Sequence, residues 1–115
     1  MVAGQGYLMQ IWHLKNCGTC KEAVKALKSR NPGLTEVRDQ GVSKADMQRF
    51  LARIGAAKLV NKSSIPWQSM TEAERAGDPL TLLLAHPTLM KRPVIEDGDQ
   101  ITAGWTPLIE KLWNL

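Results

Sequence analysis

The chain has 115 residues, of which 15 are basic and 11 acidic; 43% are hydrophobic and two are cysteines. This length predicts one domain, since domains average roughly 100–200 residues. Two cysteines are too few for a disulfide scaffold or for an iron–sulfur cluster, which usually takes about four thiolates. The longest apolar run has four residues. A membrane span needs about 18, so we expect a soluble protein that does not bind a membrane.

The net charge of +4 is concentrated at one end of the chain. Residues 1–30 hold five of the basic residues and one acid, whereas the other 85 residues hold ten of each sign. No basic run with interleaved aromatic residues occurs, so the charge does not indicate direct nucleic-acid binding. The excess lies beside both cysteines, and it needs a local explanation.

The first predicted elements are a strand, a helix and a second strand. Residues 8–13 are apolar and aromatic and predict a buried strand. The helix that follows has apolar residues at i, i+3, i+4 and i+7 from Cys20, carries lysines on another face, and ends at residues 31–33. Residues 34–38 favour a second strand, which residues 39–41 end. This order is typical of a βαβ unit.

The middle of the chain is predicted to be helical. A helix with a capping serine and an apolar face is expected over 43–55. A short helix is expected near 58–60, a turn at 63–66, and a second capping pattern at 71–74. Residues 78–87 predict another helix, with proline at its first position and a His-Pro pair at its end.

The last third of the chain predicts a hairpin and a helix. Residues 92–96 and 99–102 are strand-like, and the Asp-Gly pair at 97–98 is a strong signal for a two-residue turn between them. A final helix is expected to begin at 106–107. Its predicted core stripe consists of Leu108, Ile109, Leu112 and Trp113. Residues 1–115 are therefore expected to form one α/β domain.

The two cysteines, Cys17 and Cys20, lie where the first strand ends and the first helix begins. The free N–H groups and the positive end of a helix stabilise a thiolate, and such settings lower a cysteine pKa from about 8.5 to roughly 3.5–7.5. The neighbouring Lys15 and Lys21 favour the charged form as well. We expect Cys17 to act as the nucleophile. Cys20, on the core side of the first turn, is expected to resolve the resulting mixed disulfide.

Three interpretations of the cysteine pair stay open at this point. The strand–CxxC–helix order favours redox chemistry. The alternatives are half of a zinc site, completed by His13 and His86, and two inert cysteines in a capped helix. Nothing in the sequence brings either histidine within reach of Cys17. We therefore expect structural roles for both histidines and no bound metal.

Two segments carry a resemblance to a known family. The strand followed by Cys-Gly-Thr-Cys at 17–20, and the segment 86–95, which reads HPTLMKRPVI, resemble the arsenate reductase/Spx-like family of thioredoxin-fold proteins. The resemblance spans nearly the whole chain, and it is greatest to uncharacterised reductase-like members with a CxxC pair. It implies a thioredoxin-like α/β fold with a four-stranded mixed sheet and an inserted helical region at about 40–88.

The resemblance also implies roles for individual residues. Cys17 matches the family's nucleophilic cysteine, and Arg92 matches an arginine that lies near it and binds an oxyanion or a thiolate. Pro93 matches the cis proline that faces the cysteine in thioredoxin folds. The expected catalytic residues are Cys17, Cys20 and Arg92, and the expected substrate-binding residues are Thr19, Arg92 and Pro93.

The function implied by the resemblance is that of a thiol–disulfide oxidoreductase. Its expected reductant is glutathione, glutaredoxin or thioredoxin, with glutathione as a co-substrate and no tightly bound cofactor. Because residues 1–6 lack the features of a secretory signal, the cytoplasm is the expected compartment.

Two alternative functions follow from the same resemblance. One is an Spx-type redox-sensing regulator that binds the RNA polymerase α subunit, although the chain ends at Leu115 without the C-terminal tail that such regulators usually carry. The other is arsenate reduction itself. Arsenate reductases that work with glutaredoxin have further arginines at positions that correspond here to Asn61 and to Gly104-Trp105.

Overall fold

The structure is a computed structural model that describes residues 8–114. The chain divides into two units. One, called the sheet unit below, contains the residues up to Glu36 and those from Arg92 onward; the other, called the helical unit, is Val37–Lys91. That the whole chain forms one domain with an insertion at about 40–88 stays a prediction.

The sheet unit is built on four strands: β1 (Met9–His13), β2 (Gly33–Glu36), β3 (Val94–Asp97) and β4 (Gln100–Ala103). Their order across the sheet is β2-β1-β3-β4. β1 runs parallel to β2 and antiparallel to β3, and β3 runs antiparallel to β4. The sheet is therefore mixed and four-stranded, as the family resemblance implied. Gly98, at φ 61°, lies in the predicted turn between β3 and β4.

The described residues also form eight helices: α1 (Gly18–Ala26), α2 (Val37–Gln40), α3 (Lys44–Ile54), α4 (Ala56–Leu59), α5 (Ile65–Gln68), α6 (Glu72–Arg75), α7 (Pro79–Ala85) and α8 (Pro107–Asn114). α1 connects β1 to β2, and α8 follows β4. The other six belong to the helical unit. No helix within residues 8–114 is long and apolar enough to cross a membrane.

The core of the sheet unit joins β1, β3, α1 and α8. Met9 and Ile11 alternate along β1, which places both side chains on the same face of the sheet. The indole N–H of Trp113 donates a hydrogen bond of 2.8 Å to the hydroxyl of Thr102, so this buried polar group has a partner. The core cluster consists of Met9, Ile11, Ala23, Leu27, Ile95 and Trp113.

The predicted apolar stripe of α8 was wrong for two of its four residues. Ile109 and Trp113 belong to the core cluster or pack against it, whereas Leu108 is 68% exposed and Leu112 is 46% exposed. Residues four apart share a helix face, so the four positions form two adjacent stripes about 100° apart. The core takes the stripe that carries the larger tryptophan side chain.

Arg30 links three segments of the sheet unit. It lies in a 3₁₀ turn, Lys28–Arg30, that follows α1. Its guanidinium donates to the carbonyl of Trp113 at 2.7 Å and to the carboxylate of Asp97 at 3.0 Å, and it lies 5.9 Å from the centre of the indole ring. The end of α1 is thereby tied to the hairpin and to the last helix.

Four helices of the helical unit begin at side-chain caps. Ser43 accepts a hydrogen bond from a backbone N–H of α3, Ser64 from α5, Thr71 from α6 and Asp78 from α7. These bonds confirm the caps predicted at 43, 71 and 78. Gly55, at φ 92°, ends α3 as predicted, in a backbone conformation that favours glycine.

Two predicted elements have different bounds in the structure. The strand predicted over 34–38 ends at Glu36, and residues 37–40 form α2 instead. The turn predicted at 63–66 already contains the first residues of α5. Short segments of this kind depend on their tertiary surroundings more than on their own propensities, which explains both differences.

Candidate functional site

Cys17 occupies the N-cap position of α1. Its backbone is extended (φ −100°, ψ 121°), and its carbonyl accepts the first helical hydrogen bond, from the N–H of Lys21 at 3.0 Å. Its side chain carries a sulfur where the preferred N-cap residues carry an oxygen. A helix leaves about four N–H groups of its first turn without helical partners. The sulfur therefore lies at the positive end of α1, as the sequence predicted.

Several donors surround the sulfur of Cys17. Burial raises the pKa of this thiol, but hydrogen bonds from the Thr19 hydroxyl and from the N–H and side chain of Cys20, together with the charge of Arg92, outweigh burial and lower the pKa below its ordinary value. The distance from the sulfur to the Thr19 oxygen is 3.1 Å. Hydrogen bonds to a charged form favour that form. These donors therefore favour the thiolate of Cys17 more than an ordinary cysteine environment does.

Cys20 has the opposite character. Its side chain is 0% exposed, and burial raises the pKa of its thiol to about 12. The hydrogen bond to Cys17 and the charge of Cys17 raise the pKa further, whereas a backbone hydrogen bond from Leu14 and the charge of Arg92 lower it. Both cysteines are free thiols in the structure. The pair therefore consists of one partly exposed thiol with a lowered pKa and one buried thiol with a raised pKa.

The loop that carries Cys17 is fixed by a buried acid. The backbone N–H of Lys15 donates to the carboxylate of Glu36 at 3.0 Å, and Glu36 is 8% exposed. The N–H of Cys17 donates to the carbonyl of Leu14 at 3.3 Å. Sequence reasoning missed Glu36. The feature that could have pointed to Glu36 is an acidic residue at the end of β2. β2 runs parallel to β1, and Glu36 pairs in register with His13.

Arg92 and Pro93 reach the site from the other end of the chain. The Arg92–Pro93 peptide bond is cis, which confirms the prediction from the family resemblance. Pro93 is buried, and its carbonyl accepts a hydrogen bond of 2.9 Å from Gly104. Arg92 is partly buried, and its charge acts on both thiols. The substrate-binding roles of Thr19, Arg92 and Pro93 stay predictions.

The lysines expected to stabilise the thiolate have a different place. Among the described residues, Arg92 is the cation whose charge lowers the pKa of Cys17. Lys15 and Lys21 instead line a groove beside α1. The positive charge of residues 1–30 is therefore not explained by the thiolate of Cys17 alone.

A zinc site would need a cluster of ligands. In the part of the chain that the structure describes, no group of three or more His, Cys, Asp or Glu residues could hold a metal ion. His13 ends β1, and His86 is the C-cap of α7. Each histidine thus ends a secondary-structure element.

The positions that correspond to the further arginines have local structural roles. The side-chain oxygen of Asn61 accepts a hydrogen bond of 3.0 Å from the N–H of Ser63. Gly104 adopts φ 93°, and Trp105 packs against the core cluster of the sheet unit. None of these residues supplies a cation for binding an oxyanion.

Solved structures share this fold. A protein named YFFB has a TM-score of 0.81 at 24% identity, with 90% of this chain and 96% of that chain covered. An arsenate reductase (ArsC) related protein from Brucella melitensis has a TM-score of 0.69 at 26% identity, with 93% and 95% covered. These similarities confirm the thioredoxin-like α/β fold that the sequence resemblance implied.

Sequence comparisons give the same family. An uncharacterized protein of Haemophilus influenzae is 32% identical over 98 residues, which cover 79% of this chain and 86% of the relative. The ArsC family matches residues 12–108. Because this match runs from the end of β1 through the cysteine pair and the cis peptide to the start of α8, the chain belongs to the ArsC family.

Proposed function

We propose that the protein is a thiol–disulfide oxidoreductase in which Cys17 attacks and Cys20 resolves. Membership of the ArsC family and similarity to an arsenate reductase related protein support a thiol-dependent redox function. The observation that carries the proposal is the contrast between the two thiols. Cys17 is partly exposed with a lowered pKa, whereas Cys20 is buried with a raised pKa.

In the first step, the thiolate of Cys17 attacks one sulfur of a disulfide substrate. A sulfur–sulfur bond forms between Cys17 and the substrate, the substrate's own disulfide breaks, and its other sulfur leaves as a thiolate that takes a proton from water. Arg92 lies where its guanidinium can pair with a carboxylate or another anionic group of the substrate. Pairing there would orient the disulfide toward Cys17.

In the second step, Cys20 loses its proton and attacks the sulfur of Cys17. The product is a Cys17–Cys20 disulfide, and the substrate leaves as a second thiol. In the free dithiol, the charge of Cys17 and its hydrogen bond with Cys20 both raise the pKa of Cys20. Both effects disappear once Cys17 is held in an uncharged mixed disulfide. Formation of the mixed disulfide therefore prepares Cys20 for the second step.

The oxidised pair must then regain two electrons from an external thiol. We propose glutathione, glutaredoxin or thioredoxin as the reductant, with glutathione acting as a co-substrate rather than as a tightly bound cofactor. Two glutathione molecules supply the two electrons and leave as glutathione disulfide. The cytoplasm, where glutathione and thioredoxin keep thiols reduced, is the compartment we propose.

Alkylation at different pH values tests the assignment of the two thiols. The rate of reaction with iodoacetamide should follow a thiolate whose pKa lies below the ordinary 9.0 in the wild type and should be lost in Cys17→Ser. Cys20→Ser should keep the fast alkylation but accumulate a stable mixed disulfide with glutathione, visible by mass spectrometry. An apparent pKa of Cys17 at or above 9.0 would overturn the proposal.

Arsenate reduction is a second candidate, favoured by the family match and by the related Brucella melitensis protein. It needs a separate test, because Asn61 and Gly104-Trp105 stand where further arginines were expected. Turnover of arsenate with glutathione and glutaredoxin, lost in Cys17→Ser, would establish this activity. Absence of turnover in a wild-type protein that still reduces disulfides would reject it.

A redox switch that binds the RNA polymerase α subunit is a third candidate. It is favoured by Cys20, which allows the pair to store an oxidation event as an internal disulfide. Retention of the protein on the immobilised α C-terminal domain should then differ between the oxidised and the reduced states. Equal retention, or none, would reject this function.

A further inference from the structure

A groove of about 400 Å³ lies beside α1 in the sheet unit. Cys20 lines the groove, and Leu14 and Val24 add apolar surface to it. Cys17, the attacking residue, is not among the residues that form its wall. The groove therefore adjoins the cysteine pair on the side of the resolving thiol.

One wall of the groove carries a row of three lysines, Lys21, Lys25 and Lys28, called the lysine row below. They are spaced at i, i+4 and i+7 and therefore lie on one side of the helix and of the turn that follows it. At about 1.5 Å per residue, the row is about 10 Å long. All three side chains are exposed, and none forms an ion pair with a residue in the range 8–114.

The lysine row is unfavourable for the isolated helix. Like charges at i and i+4 destabilise a helix by about 0.2–0.5 kcal/mol per pair. Part of the positive excess of residues 1–30 is held in this row. A bound anionic group would remove the repulsion, and the apolar surface of Leu14 and Val24 would favour a ligand that is not purely ionic.

We propose that the groove binds an acidic, extended segment of a protein disulfide substrate, an inference that rests on the oxidoreductase function proposed above. An extended chain advances about 3.3 Å per residue, so three or four residues match the length of the lysine row. Alternate side chains of such a segment point in opposite directions. Carboxylates can therefore face the lysines while the residues between them face the apolar surface.

A protein segment fits the lysine row better than glutathione does. Glutathione carries an ammonium group beside one of its carboxylates, and that group would meet further cations in the row. A run of aspartate or glutamate side chains brings no such repulsion. Electrostatic attraction of this kind raises association rates by about 10- to 1000-fold at low ionic strength.

A segment bound in the groove would hold the substrate beside the cysteine pair during both redox steps. The thiolate of Cys17 forms the mixed disulfide while the acidic segment lies along the lysine row, and the substrate's other sulfur leaves as a thiol. Cys20 then displaces the substrate from Cys17, so the substrate gains two electrons and the cysteine pair loses two. The bound segment keeps the mixed disulfide close to Cys20 until this exchange is complete.

Two peptide disulfides test the proposal with the full, reduced chain. Both are extended peptides of equal length with one cysteine joined to 2-thiopyridine; one alternates glutamate with leucine, and the other has glutamine in place of every glutamate. Absorbance of the released 2-thiopyridone gives the rate constant for attack by Cys17. We expect the acidic peptide to react about tenfold faster at low salt, and the difference to disappear as salt rises.

Two triple variants separate docking from general charge. The combination Lys21→Gln, Lys25→Gln and Lys28→Gln should abolish the preference for the acidic peptide, so that the two peptides react at equal rates. The matched control, Lys44→Gln, Lys58→Gln and Lys91→Gln, removes the same charge from exposed positions of the helical unit and should keep the preference. The melting temperature of the first variant should not fall below that of the wild type, because the repulsion between the three lysines has been removed.

The outcomes distinguish this inference from the proposed function. Equal rates for the two peptides in the wild type would overturn docking and leave the oxidoreductase function standing. No release of 2-thiopyridone from either peptide would overturn the oxidoreductase function itself. If the first variant reacted more slowly than the wild type only with glutathione disulfide, the lysine row would bind a small anion. That result would also overturn the proposal.

Discussion

Helix α1 and the helices of the helical unit begin in different ways. α3, α5, α6 and α7 each begin at a serine, threonine or aspartate whose oxygen accepts a backbone hydrogen bond from the first turn. α1 begins at Cys17, whose side chain has a sulfur in place of a capping oxygen. A capping oxygen contributes roughly 0.5–2 kcal/mol to stability. α1 lacks this contribution at the position where the reactive thiol lies.

The difference shows two uses of the same backbone donors. In α3, α5, α6 and α7, an N–H group of the first turn stabilises the fold by binding a side-chain oxygen. At the start of α1, the N–H of Cys20 instead stabilises negative charge on the sulfur of Cys17. The N-terminus of α1 thus favours a thiolate, whereas the starts of α3, α5, α6 and α7 stabilise the fold.

The largest expected effect comes from giving α1 an ordinary cap. Cys17→Asp should abolish attack on disulfides, because a carboxylate cannot form the mixed disulfide. It should also be about 1 kcal/mol more stable toward urea than Cys17→Ala, since aspartate is a strong N-cap residue. If the aspartate variant proved no more stable than the alanine variant, α1 would not have an unused capping position.

The second effect concerns Cys20 at high pH. Folding raises the pKa of this thiol from 9.0 to about 12, so the neutral thiol favours the folded state. This stabilisation is complete below pH 9.0 and is lost as the pH rises toward 12. The free energy of unfolding of the wild type, measured relative to Cys20→Ala, should therefore fall over that interval. A constant difference across the interval would contradict the burial of this thiol.

Removing a cap from the helical unit should lower stability without affecting the thiol of Cys17. Asp78 accepts hydrogen bonds from both the N–H and the hydroxyl of Thr81, at 3.1 and 2.9 Å. Asp78→Ala should lower the free energy of unfolding by about 1 kcal/mol and leave the pKa of Cys17 unchanged. Lys44→Ala, an exposed change near another helix start, should stay within about 0.5 kcal/mol of wild type. A rise in the pKa of Cys17 in Asp78→Ala would show that the two kinds of helix start are not independent.

The smallest effect is expected from the hydroxyl next to the reactive sulfur. Thr19→Val keeps the shape of the side chain but removes the hydrogen bond to Cys17, so the pKa of Cys17 should rise. Thr19→Ser keeps a hydroxyl and should behave like the wild type. The pH dependence of iodoacetamide alkylation measures both. If the Thr19 hydroxyl had no influence on the thiol, the wild type and both variants would show the same pH dependence of alkylation.

Features that depend on a few neighbouring residues were predicted well from the sequence. The caps at Ser43, Thr71 and Asp78 follow from side chains that bond within one turn. The hairpin turn after Asp97 follows from a glycine that adopts positive φ. The position of Cys17 follows from the junction of a strand and a helix. In each case the interaction that decides the structure is local.

Features that depend on distant residues were not predicted from composition or spacing. The contribution of Glu36 to the cysteine loop appears only when β1 and β2 pair. Which stripe of α8 faces the core is decided by the sheet and not by the helix. The effect of Arg92 on both thiols was anticipated only through the family resemblance, because no periodic pattern connects it to Cys17.

The order of the strands has a consequence for synthesis of the chain. β1 leads into the cysteine loop and pairs with β3, and Arg92 lies two residues before the start of β3. The ribosome must therefore complete residues 37–91 before either reaches the loop. Until then, Cys17 lacks the charge of Arg92, and Cys20 lacks the sheet unit's full core. The donors of residues 19 and 20 act on Cys17 as soon as α1 forms, whereas the contribution of Arg92 to both pKa values is added only when the last part of the chain is made.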